Sequence, residues 1–170
     1  LAQEGARGLT HRAVDDAAGV PRGTSSNYFP SREELVSALV TRIEERLTPD
    51  PVQLAPLAAR TPDRALFAEY VREVVRRLTA DPHVALALFE LRLEATRRPG
   101  VAETLGAWRR RSFAEDLAFT ERSGLPGTPL DLLLIHHAID GLVLDRLTVP
   151  LDESTALDAV VGELVERLLP

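Results

Sequence analysis

Apolar positions recur every three to four residues along nearly the whole chain, and the strict alternation of a half-buried strand is absent, so the pattern predicts helices and no sheet. Thr10 stands where it can cap a short helix ending at Gly19, and a second short helix fits residues 21–29. Ser31 with Glu34 three residues on has the form of a capping box, opening a helix through Leu47 whose Leu35, Leu39 and Ile43 share one face. The stretch TPDPVQLAPLAARTPD, with Pro49, Pro51, Pro56 and Pro62, interrupts the pattern and predicts a connector with one short helical turn. Beyond it, Thr61 as cap and Pro62 as first residue predict a helix to Thr79, and Asp81 with Pro82 predicts another to Arg98, stopped by Pro99 and Gly100. A long helix over 101–123 ends at Gly124, and GLPGTP forms a loop. Two last helices, 130–147 and 152–169, are separated by Pro150.

The predicted fold class is all-α, in two parts: a helix-turn-helix unit over residues 1–47 and a helical bundle over 48–170. In the first part, a short helix, a glycine turn at Gly19, a second short helix and a long capped helix follow one another. Val14, Val20, Tyr28 and Phe29 are the residues expected to glue the pair together. The second helix would then present Arg22, Gly23, Thr24, Ser25, Ser26 and Asn27 outward. Those side chains suit a major groove: arginine binds guanine bidentately, asparagine pairs with adenine, hydroxyls reach phosphate or bases, and the helix N-terminus favours a phosphate oxygen.

Composition modifies this picture. The net charge of −6 argues against a nucleic-acid partner, yet residues 1–47 carry six arginines against seven acids, and the other fourteen arginines face nineteen acids downstream. All twenty basic residues are arginine, the mark of a GC-rich bacterial genome. With no cysteine, neither a disulfide framework nor a thiolate metal site is possible. No apolar run approaches the roughly 18–20 residues of a membrane span, because LLLIHHAIDGLVL is broken by His136, His137 and Asp140. A soluble, cytoplasmic bacterial protein without cofactor, metal or membrane partner is expected. Methionine is absent even at position 1, so the chain is expected to be a trimmed segment.

Residues 8–35, GLTHRAVDDAAGVPRGTSSNYFPSREEL, resemble the DNA-binding domain of TetR-family transcriptional regulators. Thr10, Val14, Ala18, Gly19, Val20, Gly23, Thr24, Tyr28, Phe29, Ser31, Glu33, Glu34 and Leu35 match the family pattern, and Leu1 falls near the end of the family's first helix. Asp15 stands where the family usually has alanine, Ser25 where it often has an aliphatic, Ser26 where a phosphate-contacting tyrosine is common, and Arg32 where lysine is usual. The resemblance implies that Thr10 and Arg32 grip phosphates and that Arg22, Thr24, Ser25 and Asn27 face the groove, with Arg12, Gly23, Ser26 and Tyr28 completing the DNA-contacting set.

It also implies a ligand-binding and dimerisation domain downstream, with double-stranded operator DNA, a second copy and a small-molecule effector as partners. The candidate ligand set is Phe67, Tyr70, Phe89, Glu90, Leu93, Trp108, Phe113 and His137. The last two helices leave more apolar face than one small domain needs: Leu130, Leu133, Leu134, His137, Gly141 and Leu144 on one, Leu157, Val160, Val161, Leu164 and Leu168 on the other. They are the expected dimer interface, and the expected mechanism is effector binding that moves the helix 31–47 and changes the spacing of the two recognition helices.

Catalysis is not expected. No HExxH, nucleophile elbow or phosphate loop is present, and Glu90 with Glu94 lies among Arg92, Arg97 and Arg98, which favours a solvated or ion-paired face. The competing reading is a helical dimeric interaction or sensor protein whose DNA binding is weak or lost, which Asp15 and Ser26 keep open.

Overall fold

The computed structural model describes residues 1–2 and 4–169. Its regular elements are a 3₁₀ turn at Ala6–Gly8 and the helices α1 (His11–Ala18), α2 (Thr24–Tyr28), α3 (Arg32–Leu47), α4 (Pro51–Ala58), α5 (Arg64–Ala80), α6 (Pro82–Ala95), α7 (Pro99–Arg122), α8 (Pro129–Leu147) and α9 (Leu157–Leu168). Among the described residues there is no strand.

Several boundaries follow from local chemistry. Thr10 accepts the Ala13 N–H and starts α1, and Gly19, with φ of 66°, ends it in the left-handed conformation glycine adopts without strain. Ser31 accepts the Glu34 N–H at the head of α3. The connector holds more helix than its prolines predict: Pro51 occupies the first turn, where its missing N–H costs nothing, and Asp50 caps the Val52 N–H. Asp63, not Thr61, caps α5 by accepting from Leu66 at 2.6 Å. Pro99 opens α7 rather than only closing α6, again as a proline in a first turn. The last helix begins at Leu157, not Asp152, because the Asp152 carboxylate takes the N–H and hydroxyl of Ser154 and the hydroxyl of Thr155, a turn that competes with helix.

The chain forms two compact units: residues 1–48 with 83–110, and residues 49–82 with 111 onward. In the first, Leu35, Val36, Val40 and Ile43 of α3 pack with Leu9, with Ala87, Leu88 and Leu91 of α6, and with Val101 and Leu105 of α7; Val14, Phe29 and Trp108 flank them. Each such Leu or Ile contributes about 1.5–3 kcal/mol by leaving water. In the second, α5 packs against α4, α8 and α9, and Phe67, Val71, Val75, Ile135, Ile139, Val143, Val161 and Val165 are buried. Helices 83–110 thus group with the helix-turn-helix residues rather than with the rest of the bundle.

Candidate nucleic-acid interface

Helix α2 is five residues long, too short to hold itself by backbone bonds alone, and Gly23 before it offers no side-chain cap. Its start is held from α1 instead. The Asp15 carboxylate, 1% exposed, accepts the Gly23 N–H and the Ser25 N–H, each at 2.7 Å. Gly23 reaches this geometry at φ of 91°, a conformation open to glycine. The Ser25 N–H, with the Gly23 N–H, holds the Asp15 carboxyl below its ordinary range although burial opposes it.

This changes the outward set. Ser25 is buried, and its hydroxyl donates to the His11 carbonyl at 3.0 Å, so it does not face a groove. The N–H groups expected to favour phosphate at this helix start are instead occupied: Asp15 takes those of Gly23 and Ser25, and the Thr24 N–H bonds to the Pro21 carbonyl. The hydroxyls of Thr24 and Ser26 donate back to the carbonyls of Pro21 and Gly23, at 2.6 and 2.9 Å. Arg22, Asn27 and Tyr28 are exposed. Tyr28, expected to glue the helix pair, is 76% exposed, and Val20 is exposed as well, while Val14 and Phe29 do flank the core. Thr10 and Arg12 are exposed on α1, Arg12 loosely paired with Asp16 at 3.7 Å.

Arg32 is also not free for phosphate. Its guanidinium donates to the carbonyls of Leu9 and Ala6, and it lies 3.7 Å from Glu94. Glu94 is itself buried and bonded to Arg98, whose hydrogen bond holds its carboxyl below the ordinary range, with the charges of Arg98, Arg32 and Arg97 adding to the effect. Of the solvated and ion-paired alternatives, the ion-paired one describes this buried carboxylate. Sequence reasoning missed Asp15 as an organiser because its partners Gly23 and Ser25 lie eight and ten residues on, and missed the reach of Glu94 to Arg32 because that arginine lies on another helix.

The candidate ligand residues divide between the units. Phe89, Glu90, Leu93 and Trp108 lie in the first and Phe67, Tyr70, Phe113 and His137 in the second. Glu90 lines a polar cleft of about 420 Å³ with Glu4, Arg7, Glu94 and Arg97, not an aromatic pocket. Leu93 is exposed, and the buried Trp108 Nε1 has no hydrogen-bond partner among the described residues. Phe67 fills the core of the second unit. Tyr70 meets Phe119 edge-on at 5.1 Å, and Phe113 meets His136 at the same distance, with His136 Nε2 3.1 Å from Asp116. The histidine facing the aromatics is thus His136, whereas His137 is exposed.

On α8, Leu130, Leu133, Leu134, His137, Gly141 and Leu144 are all exposed, at helical spacing along one face. On α9, Leu157, Val160, Leu164 and Leu168 are half-buried, but Val161 is fully buried inside its own subunit and is not available to a second copy.

Residues 62–170 match the family described as "Tetracyclin repressor-like, C-terminal domain", and residues 1–39 match "Bacterial regulatory proteins, tetR family". The chain belongs to the TetR family. Among curated proteins, none matches this TetR-family chain. Among solved structures, the multidrug binding protein EbrR complexed with imidazole is 25% identical, with a TM-score of 0.70 over 99% of this chain and 88% of that one. EbrR complexed with proflavin is likewise 25% identical, with a TM-score of 0.64 over 98% of this chain and 91% of that one. The TetR assignment fixes the helix-turn-helix as the DNA-binding module of a transcriptional regulator with a ligand-binding helical domain, and no helix among the described residues is long and apolar enough to cross a membrane.

Proposed function

We propose that this regulator is a homodimeric repressor that binds a palindromic operator and is released by a small organic molecule. The observation that carries the reading is the outward face of α2 in a family-matched helix-turn-helix: Arg22, Asn27 and Tyr28 are exposed while the helix is fixed from behind by Asp15. Arg22 suits a bidentate contact to guanine, Asn27 one to adenine, and Thr10 and Arg12 approach the backbone. The exposed apolar stripe of α8 supports pairing with a second copy, and a dimer places two recognition helices on two half-sites.

For the effector, EbrR in complex with imidazole and with proflavin supports a small organic ligand. Within the second unit, the edge-on Phe113–His136 pair is the group to engage it. Selection of operator sequences with the intact protein, repeated with candidate organic ligands, tests the proposal. An enriched palindrome whose binding a ligand weakens supports it, and sequence-indifferent retention of DNA counts against it.

A further inference from the structure

In α2, with the sequence TSSNY, the buried residue is Ser25, and no large apolar side chain of the helix is buried. A recognition helix is usually seated by apolar packing on its neighbour, and here that packing is missing. What replaces it is polar and comes from one face of α1. His11 and Asp15 stand four residues apart, one turn of helix, and so share a face. Asp15 holds the start of α2 through the Gly23 and Ser25 N–H groups, each at 2.7 Å. His11 holds its end: Nε2 donates to the Phe29 carbonyl at 2.6 Å, while the His11 carbonyl accepts the Ser25 hydroxyl at 3.0 Å.

We infer that Asp15 is the positioning residue for DNA recognition in this chain, and that Asp15 and Ser25 act as a matched polar pair that sets the angle at which α2 presents Arg22 and Asn27. The inference rests on the proposed DNA-binding function and names the residues that make it specific. Asp15 touches no DNA; its place is behind the helix, and its effect passes through the backbone of Gly23 and Ser25. Because five residues cannot maintain a helix unaided, losing the carboxylate frees the start of α2 to fray or tilt. The Ser25 N–H is then left without an acceptor at a buried site and the Gly23 N–H at a part-buried one, which the chain relieves by moving the helix. Sequence-specific contacts need side chains held to within a fraction of an ångström, whereas non-specific phosphate attraction does not. Loss of Asp15 therefore lowers specific affinity and leaves non-specific affinity nearly intact. A role confined to folding would lower both in proportion to the folded fraction.

The two positions are also interdependent. Replacing both by an apolar pair, Asp15→Ala with Ser25→Leu, exchanges the polar clasp for a hydrophobic contact across the same gap, whereas either change alone leaves a mismatch.

The test uses the full chain and an operator enriched by selection with the wild-type protein. Affinity is measured for that operator and for a scrambled duplex in wild type, Asp15→Ala, Asp15→Asn and the double variant Asp15→Ala/Ser25→Leu, with circular dichroism confirming helix content. The inference expects the ratio of specific to non-specific affinity to fall at least about tenfold in Asp15→Ala. It expects a smaller fall in Asp15→Asn, which keeps one acceptor oxygen and its size and so serves if the alanine variant does not fold, and a partial recovery in the double variant, where the leucine refills the gap but the two N–H groups still lack the carboxylate. An unchanged ratio in folded Asp15→Ala or Asp15→Asn overturns the inference while leaving the DNA-binding reading in place. A wild-type protein with no sequence preference removes that reading itself.

Discussion

The Glu94 carboxylate of α6 lies 3.7 Å from the Arg32 guanidinium at the head of α3, and the same arginine donates to the carbonyls of Ala6 and Leu9. One charged node thus ties α6, the entry to α1 and the start of α3 within the first compact unit. Glu94→Ala removes the counter-charge from Arg32, Arg97 and Arg98 and leaves the half-buried Arg32 without it. It should destabilise the protein by about 1–2 kcal/mol, read as a lower midpoint in urea or on heating. A variant as stable as wild type would show that the node is solvated and dispensable.

Arg22→Ala should weaken operator binding by about 1–3 kcal/mol and relax preference at one base pair, because a bidentate arginine reads guanine. Asn27→Ala should behave alike at an adenine. Anisotropy titrations against single-base operator variants give the measurement, and a uniform loss across all sequences would reassign Arg22 to the phosphate backbone.

The pH dependence of stability follows from Asp15, Glu94, Asp131 and Asp152, each held below its ordinary range by hydrogen bonds in the fold. The backbone N–H and the hydroxyl of Thr128 act on Asp131, and the hydroxyls of Ser154 and Thr155 act on Asp152. A folded pKa below the unfolded value means that the contribution is fully present above the unfolded values of 3.8 for aspartate and 4.5 for glutamate, and is lost as pH falls through the lower folded values. Urea midpoints at a series of pH values should therefore be flat with respect to these four groups above about pH 5 and fall below about pH 4. Asp152→Asn should flatten that fall, and an unaltered acid limb would remove Asp152 from the account.

On the α8 stripe, Leu130→Glu with Leu134→Glu should convert a dimer to a folded monomer, since both side chains are exposed in the single subunit. Val161→Ala should instead cost about 1–3 kcal/mol of subunit stability by opening a cavity, because Val161 is fully buried. Sedimentation for the first pair and denaturant titration for the second separate the two roles. Unfolding in the Leu130/Leu134 variant would place that stripe in the subunit core.

The long helices were legible because their apolar spacing repeats over many turns, as with Leu35, Leu39 and Ile43 in α3. The helix-turn-helix was legible from Gly19, the Thr10 cap and the matched family residues. The orientation of α2 was not, because five residues carry no periodicity and the group that decides it, Asp15, sits ten residues before Ser25. Arg32 looked like an exposed cation at a helix start, yet its acceptors are carbonyls 23 and 26 residues upstream. The starts of α5 and α9 depended on which of several capping side chains engaged: Asp63 outcompeted Thr61, and Asp152 closed a turn with Ser154 and Thr155.

The most direct test of the central claim is a footprint of the intact protein on its selected operator. The account predicts two protected half-sites related by a two-fold axis, their centres separated by about one helical turn of 34–36 Å or a multiple of it, and weakened steeply by added salt. A single unsymmetrical footprint, or protection indifferent to sequence and salt, would contradict it.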